Sequence, residues 1–157
     1  MKYKLFAHQA IDFGNLDDSF FLIGLLNEFT NRFQAVGDSF FKEMSWKQCF
    51  LLSCIRFFKQ PPTLKELSQL MGSSHQNVKQ MLLKLEKTGY VTFQPDAYDG
   101  RKQRILLTEK ANKFNEKHSE PSAVFMDELF RNIDKENLAI TIQTILELDE
   151  QLKKMHV

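Results

Sequence analysis

The 157-residue chain is long enough for one compact core, with 43% hydrophobic residues, and too short for two ordinary domains. Its 21 basic and 20 acidic side chains nearly balance, so overall charge gives no argument for a polyanionic partner. The two cysteines match neither a CxxC pair nor a zinc knuckle, which favours reduced thiols in the cytoplasm without a metal or cofactor.

The first 14 residues lack the continuous apolar core of a signal peptide, and no run of about 18 apolar residues occurs. We therefore expect a cytoplasmic protein that does not span a membrane. Charge is distributed unevenly along the chain. Residues 63–110 carry eight basic and five acidic side chains, a net charge of +3, whereas the residues after 110 carry a net charge of −3. The middle of the chain is the part suited to phosphate, and the acidic end should face elsewhere.

The first half of the chain has the apolar periodicity of helices. Apolar residues recur every three or four positions over residues 17–36, which predicts a first long helix. The S-x-x-Q pattern at Ser45 predicts the start of a second helix, which should run to about residue 58. After two prolines, a further capping pattern at Thr63 opens a short third helix that ends at Gly72.

A fourth helix should begin at the serines that precede His75 and end at Gly89. Its apolar stripe consists of Val78, Met81, Leu82 and Leu85. After Gly89 the pattern alternates, which predicts two short strands over 90–94 and 104–107 and a hairpin turn at Asp99-Gly100.

Two further helices are predicted beyond the hairpin. Thr108 caps a helix that runs toward Phe130, with a kink or break expected at Pro121. The last helix covers about 134–155, with one apolar side that contains Leu138, Ile142, Ile145 and Leu148 or Leu152. An amphipathic helix at the end of a small chain needs a partner surface, which indicates dimerisation.

Two short helices joined by a tight turn and followed by a hairpin form a winged helix-turn-helix. When the apolar stripe of the fourth helix is turned inward, a polar face turns outward. Gln and Asn side chains can pair with adenine in the major groove, and lysines bind phosphate. We predict base contacts from Gln76, Asn77 and Gln80, phosphate contacts from Lys79, Lys84 and Lys87, and a contribution from Ser74 and His75 at the helix start. The alternative is a solvated polar face on an ordinary core helix, and Leu83, which also points outward, fits neither interpretation.

The hairpin concentrates charge at its tip, where Asp99, Arg101, Lys102 and Arg104 are crowded together. An arginine on a narrow hairpin can enter the minor groove, where the phosphate potential is focused. We therefore add Asp99, Arg101 and Lys102 to the candidate DNA-binding residues. A merely solvated turn is the alternative.

Residues 63–110 resemble the DNA-binding half of the MarR family of transcriptional regulators. The resemblance depends on the LEKTGYV run at 85–91, on Asp99-x-Arg101 and on Leu107-Thr108 before the next helix. It implies that Asp99 braces the wing, that Arg101 enters the minor groove and that helices at both chain ends build a dimer. Two residues depart from the family pattern: Gln80 replaces a frequent basic residue and Ser68 a usual alanine.

The predicted fold is mainly α with a small β-hairpin wing. Residues 1–44 form an N-terminal dimerisation region, residues 45–110 a winged helix-turn-helix DNA-binding domain, and residues 111–157 C-terminal dimerisation helices. The predicted function is that of a homodimeric, sequence-specific regulator of transcription that binds double-stranded DNA and acts as a repressor. The resemblance also implies release by an effector, for which a small aromatic or lipophilic molecule is our expectation.

Several alternatives stay open. Eleven of the 15 phenylalanines precede residue 60, and they either line an aromatic effector pocket or pack the core and dimer interface. Cys49 or Cys54 is either a buried structural thiol or an oxidant sensor. The four histidines, His8, His75, His118 and His156, are scattered, so we expect no metal site. No nucleotide-binding loop, nucleophile elbow or HExxH motif occurs, so we expect no enzyme, and a winged-helix module that binds protein is the remaining class.

Overall fold

The computed structural model describes residues 16–155, which form six helices and a two-stranded antiparallel sheet. The elements are α1 (Asp18–Phe40), α2 (Trp46–Arg56), α3 (Leu64–Leu70), α4 (His75–Lys87), β1 (Val91–Pro95), β2 (Gln103–Leu107), α5 (Glu109–Phe130) and α6 (Lys135–Lys154). Their order confirms the predicted fold class. The expectations for the first 14 residues, His8 and His156 lie outside the described residues. The chain divides into two compact units, one ending at Ala111 and the other beginning at Asn112.

Both predicted capping boxes are present. The hydroxyl of Ser45 accepts the amide of Gln48 at 3.3 Å, and the Gln48 side chain accepts the amide of Ser45 at 3.0 Å. At the start of α3, Thr63 and Glu66 form the same reciprocal bonds at 3.3 and 2.7 Å. Because these bonds join residues three positions apart, the sequence alone locates the helix starts.

Gly89 turns the chain from α4 into β1. Its φ of 78° lies in the left-handed region, which an L side chain rarely adopts. The amide of Gly89 donates to the carbonyl of Glu86 and that of Tyr90 to the carbonyl of Leu85, both at 2.8 Å. These bonds satisfy the last carbonyls of the helix, as predicted for a glycine at this position.

The core of the first unit lies between α2, α3, α4 and the sheet. Its most deeply buried apolar residues include Leu51, Leu67, Val78, Leu82, Leu85, Val91 and Ile105, each with a relative exposure of 2% or less. Full burial of a leucine contributes about 1.5–3 kcal/mol, so these side chains fix the face that α4 turns inward. Met81 is only partly buried, so the inward stripe of α4 is narrower than predicted.

An aromatic cluster joins α1 to α2 around Trp46. The Trp46 ring centroid lies 4.8 Å from that of Phe33 and 6.1 Å from those of Phe41 and Phe50. Gly37 allows this approach, because a Cβ there would lie 2.9 Å from the Cβ of Trp46. For these phenylalanines the structure favours packing over a role in lining an effector pocket.

Of the kink or break predicted at Pro121, the break is wrong. Helix α5 continues through Pro121 from Glu109 to Phe130. A proline inside a helix removes one hydrogen bond and crowds the carbonyl four residues earlier, yet here the helix continues on both sides.

Helix α6 confirms the predicted last helix, beginning at its cap Asp134 and ending at Lys154. None of its residues is buried. On its apolar side, Ile142, Ile145 and Leu152 have relative exposures of 51, 39 and 65%. The apolar side of α6 therefore has no cover within the described residues of the chain.

Candidate nucleic-acid interface

The outer face of α4 carries the polar side chains that the helical periodicity predicts. The hydroxyl of its N-cap, Ser74, accepts the amide of Asn77 at 3.3 Å. The predicted contact residues of this helix are all exposed: Ser74, His75, Gln76, Asn77, Lys79, Gln80, Lys84 and Lys87. Within residues 16–155, no hydrogen bond engages the side chain of Gln76, Asn77 or Gln80. These amides are therefore available to an external partner.

The wing is built on the strand pair β1–β2, with Val91 opposite Leu107 and Pro95 opposite Gln103. A third segment joins it, because the amide of Ile105 donates to the carbonyl of Pro62 at 2.9 Å. An isolated bridge also links Thr63 to β2. The residues just before α3 thus hold one edge of the wing.

At the tip of the wing, Asp99 contacts Arg101. One oxygen of Asp99 accepts the backbone amide of Arg101 at 3.2 Å and its Nε at 3.0 Å, while Lys102 Nζ lies 3.4 Å from the other oxygen. The Arg101 side-chain hydrogen bond is the main reason why the pKa of Asp99 is lowered. The Arg101 side chain is 92% exposed. Asp99 therefore holds the Nε of this side chain, while most of the side chain is exposed to solvent.

Arg104 does not belong to the tip, contrary to the grouping predicted from the sequence. Its Nε donates to Asp96 Oδ2 at 2.5 Å, its Nη1 donates to the carbonyl of Pro61 at 3.0 Å, and Glu66 Oε2 lies 3.5 Å away. The side chain is 29% exposed. The nearby acceptors turn this guanidinium back toward α3, although it lies only three residues after Arg101.

Asp96 has a structural role that was not predicted from the sequence. Its Oδ1 accepts the backbone amides of Tyr98 and Asp99, both at 2.9 Å, and its other oxygen accepts Arg104. The amide of Tyr98, followed by Arg104, lowers the pKa of Asp96 to about 2. An aspartate two residues before an amide that needs a partner is the usual pattern of an Asx turn, and that pattern could have identified it.

A groove of about 870 Å³ separates α4 from the wing. Its apolar lining includes Leu82, Leu83, Phe93 and Ile105, and its polar lining includes His75, Lys79, Arg101 and Lys102. Leu83, 41% exposed and unexplained from the sequence, belongs to this lining. His75 and Lys79 of α4 therefore share one groove with Arg101 and Lys102 of the wing, whereas Gln76, Asn77 and Gln80 are not among its lining residues.

Solved structures with the same architecture come from transcriptional regulators. A MarR/EmrR family regulator from Acinetobacter sp. ADP1 has a TM-score of 0.78 at 14% identity, covering 88% of this chain and 99% of that one. The S. aureus MepR–DNA complex has a TM-score of 0.72 at 16% identity, with coverages of 89 and 100%. An organohalide-sensing regulator with bound 2,4-dichlorophenol has a TM-score of 0.78 at 16% identity, with coverages of 95 and 89%. This chain has the MarR winged-helix fold. No protein-family model and no curated protein matches the sequence.

The MarR fold accommodates one of the two departures noted in the sequence. Ser68, in place of the usual alanine, is buried, and its hydroxyl donates to the carbonyl of Leu64 at 2.8 Å. A buried hydroxyl that finds an acceptor avoids the desolvation cost of an unpaired polar group. Gln80 is exposed on the outer face of α4, where its amide leaves the core unchanged.

The two cysteines are free thiols in α2 of the MarR fold. Cys54 is buried and Cys49 partly buried. Desolvation raises the pKa of Cys49 to about 11 and also raises that of Cys54. Because the thiolate is the reactive form, this environment favours structural thiols over an oxidant sensor.

Residues 16–155 contain neither a cluster of metal ligands nor a helix suited to a membrane. No group of three His, Cys, Asp or Glu side chains in that range is arranged to hold a metal ion. None of its helices combines the length and apolar character that a membrane span requires.

Proposed function

We propose that this protein is a sequence-specific regulator of transcription that binds duplex DNA as a homodimer. The observation that carries the proposal is the shared groove, which brings exposed side chains of α4 and Arg101 of the wing to the same surface. A helix and a hairpin placed in this way can enter adjacent major and minor grooves of one duplex. MepR, which has the same fold, was solved in complex with DNA.

Each candidate side chain has a distinct role in this proposal. Gln76, Asn77 and Gln80 read base edges in the major groove, because their amides can donate and accept at once. The remaining residues act on the backbone or the minor groove. Ser74, His75, Lys79, Lys84, Lys87 and Lys102 contact the phosphate backbone, and Arg101, braced by Asp99, enters the minor groove.

Dimerisation is proposed through the helices at the two ends of the chain, residues 1–44 and 111–157, around a DNA-binding domain at 45–110. Exposed apolar residues support it: on α1, Phe20 and Ile23 are 72 and 60% exposed, and α6 buries nothing. Apolar surface of this kind marks an interaction site. The net charge of −3 after residue 110 is suited to a partner other than phosphate. Two recognition helices about 34 Å apart would meet successive major grooves.

Repression relieved by a small aromatic or lipophilic effector is the regulatory part of the proposal, with the cytoplasm as its setting. The organohalide-sensing regulator of the same fold, solved with 2,4-dichlorophenol, supports an aromatic ligand class. Compounds of that class should therefore be screened for release of bound DNA.

The test starts with selection of bound fragments from random duplex DNA. Wild type and Arg101→Ala are then titrated on the selected fragment. We expect Arg101→Ala to weaken binding by about 1–3 kcal/mol, with unchanged thermal stability, because its side chain is 92% exposed. Lys47→Ala removes an equal charge from an exposed position on α2, outside α4, the wing and the dimerisation helices, and should bind as wild type does. Failure to enrich any fragment, or wild-type affinity of Arg101→Ala, would contradict the proposal.

A further inference from the structure

We infer that Asp96 and Arg104 position the wing, and through it Arg101, for entry into the minor groove. The inference rests on the proposed function and assigns to it two residues that make no direct contact with DNA. We define the wing anchor as Asp96, Arg104, Glu66 and the carbonyl of Pro61.

The anchor begins at the start of α3. Glu66 is fixed there because its carboxylate accepts both the amide and the hydroxyl of Thr63 at 2.7 Å. Arg104 Nη1 donates to the carbonyl of Pro61 at 3.0 Å and lies 3.5 Å from Glu66 Oε2. The guanidinium is thereby bound to the backbone just before α3 and to the side chain of Glu66 in α3.

The same guanidinium holds the loop of the wing through Asp96. Arg104 Nε donates to one oxygen of Asp96, and the other oxygen accepts the amides of Tyr98 and Asp99. Asp99 then accepts Nε of Arg101. A continuous series of polar contacts therefore runs from α3 to the arginine at the tip.

Burial separates the anchor from the contact residues. The Asp96 side chain is 7% exposed and that of Arg104 29%, against 92% for Arg101. A guanidinium whose donors already face three acceptors is poorly placed to bind phosphate directly. Its role is therefore to position the wing.

The DNA affinity of Asp96→Asn distinguishes loss of the anchor from a purely electrostatic effect. The two explanations predict opposite changes in that affinity. Asp96→Asn removes a negative charge close to the proposed DNA surface, so electrostatics alone would strengthen binding. Loss of the anchor would instead weaken it severalfold. Glu86→Gln is the control for charge, because Glu86 lines the groove between α4 and the wing and has no ion pair among the described residues. It should bind DNA as tightly as wild type or more tightly.

A double-mutant cycle shows whether the effect passes through Arg101. Asp96→Asn should cost several-fold in affinity when Arg101 is present and little in the Arg101→Ala background. Arg104→Lys is the second variant: it keeps the charge but loses the forked donors, and it should show an intermediate loss. Additive losses would overturn the inference, because they would mean that the anchor acts independently of Arg101.

Trypsin digestion tests the anchor in the absence of DNA. Cleavage after Arg101 and Lys102 in the native protein should be several-fold faster in Asp96→Asn than in wild type or Glu86→Gln. Wild-type DNA affinity or wild-type cleavage in Asp96→Asn would overturn the inference and leave the proposed function intact. If wild type itself binds no duplex, the proposed function fails, and the cleavage rates still decide whether the anchor holds the wing.

Discussion

Gln76 lies in the first turn of α4 with its side chain exposed. Gln76→Ala should reduce affinity for a selected operator by about 1–3 kcal/mol and affect random DNA less, because a base contact contributes only on the matching sequence. Fluorescence anisotropy on both duplexes measures the difference. Equal losses on the two would remove Gln76 from the residues that read bases.

Cys49 and Cys54 allow a direct test of the oxidant-sensor alternative. With the pKa of Cys49 raised to about 11, the thiol stays protonated at neutral pH, and thiolate accumulates only as the pH rises toward that value. Iodoacetamide at pH 7 should therefore modify the native protein slowly and the urea-unfolded protein quickly, as mass spectrometry would show. Rapid alkylation of the native protein would revive the sensor hypothesis.

The sequence predicted the exposure of some side chains and not the contacts of others. The exposure of Gln76 and Asn77 follows from helical periodicity, because the buried face of the same helix fixes it. Arg104 was misplaced because its acceptors include Pro61 and Glu66, which are 43 and 38 positions away in the chain. Charge density along a segment does not show which side chains a distant segment will bind.

Helix α4 as an element has two adjacent leucines with opposite roles. Leu82 is 1% exposed and Leu83 41%. Leu82→Ala should lower the free energy of unfolding by about 2–5 kcal/mol, measured by urea denaturation, because it leaves a cavity in the core. Leu83→Ala is the matched control and should leave stability nearly unchanged. Similar losses in both variants would contradict the assigned faces of the helix.

The helix starts of the elements were predictable, and the course of α5 was not. Ser45 and Thr63 act through partners three residues away, so the pattern contains the whole interaction. Pro121 disfavours helix locally, yet α5 continues through it. Whether a proline ends a helix depends on how strongly the helical turns on either side of it are stabilised. The local sequence pattern does not show this.

At the scale of the whole molecule, α6 is the element on which the proposed dimer depends. Deletion after Phe130 should yield monomers or insoluble protein, because it removes the exposed apolar residues proposed to pair across the dimer. Sedimentation velocity measures the outcome. Ile142→Glu tests the same surface with a single substitution and should also yield monomers. A soluble dimer of the truncated chain would refute the role of this helix.

The side chains at 76, 77 and 80 form no hydrogen bond within residues 16–155. On the proposed function, replacing any of them should therefore leave folding almost untouched while altering which duplex sequence is bound. Such a division lets mutation explore new regulatory targets one position at a time, without the loss of stability that usually accompanies a change of function. Duplicated copies of this gene could acquire separate target genes while keeping the same scaffold.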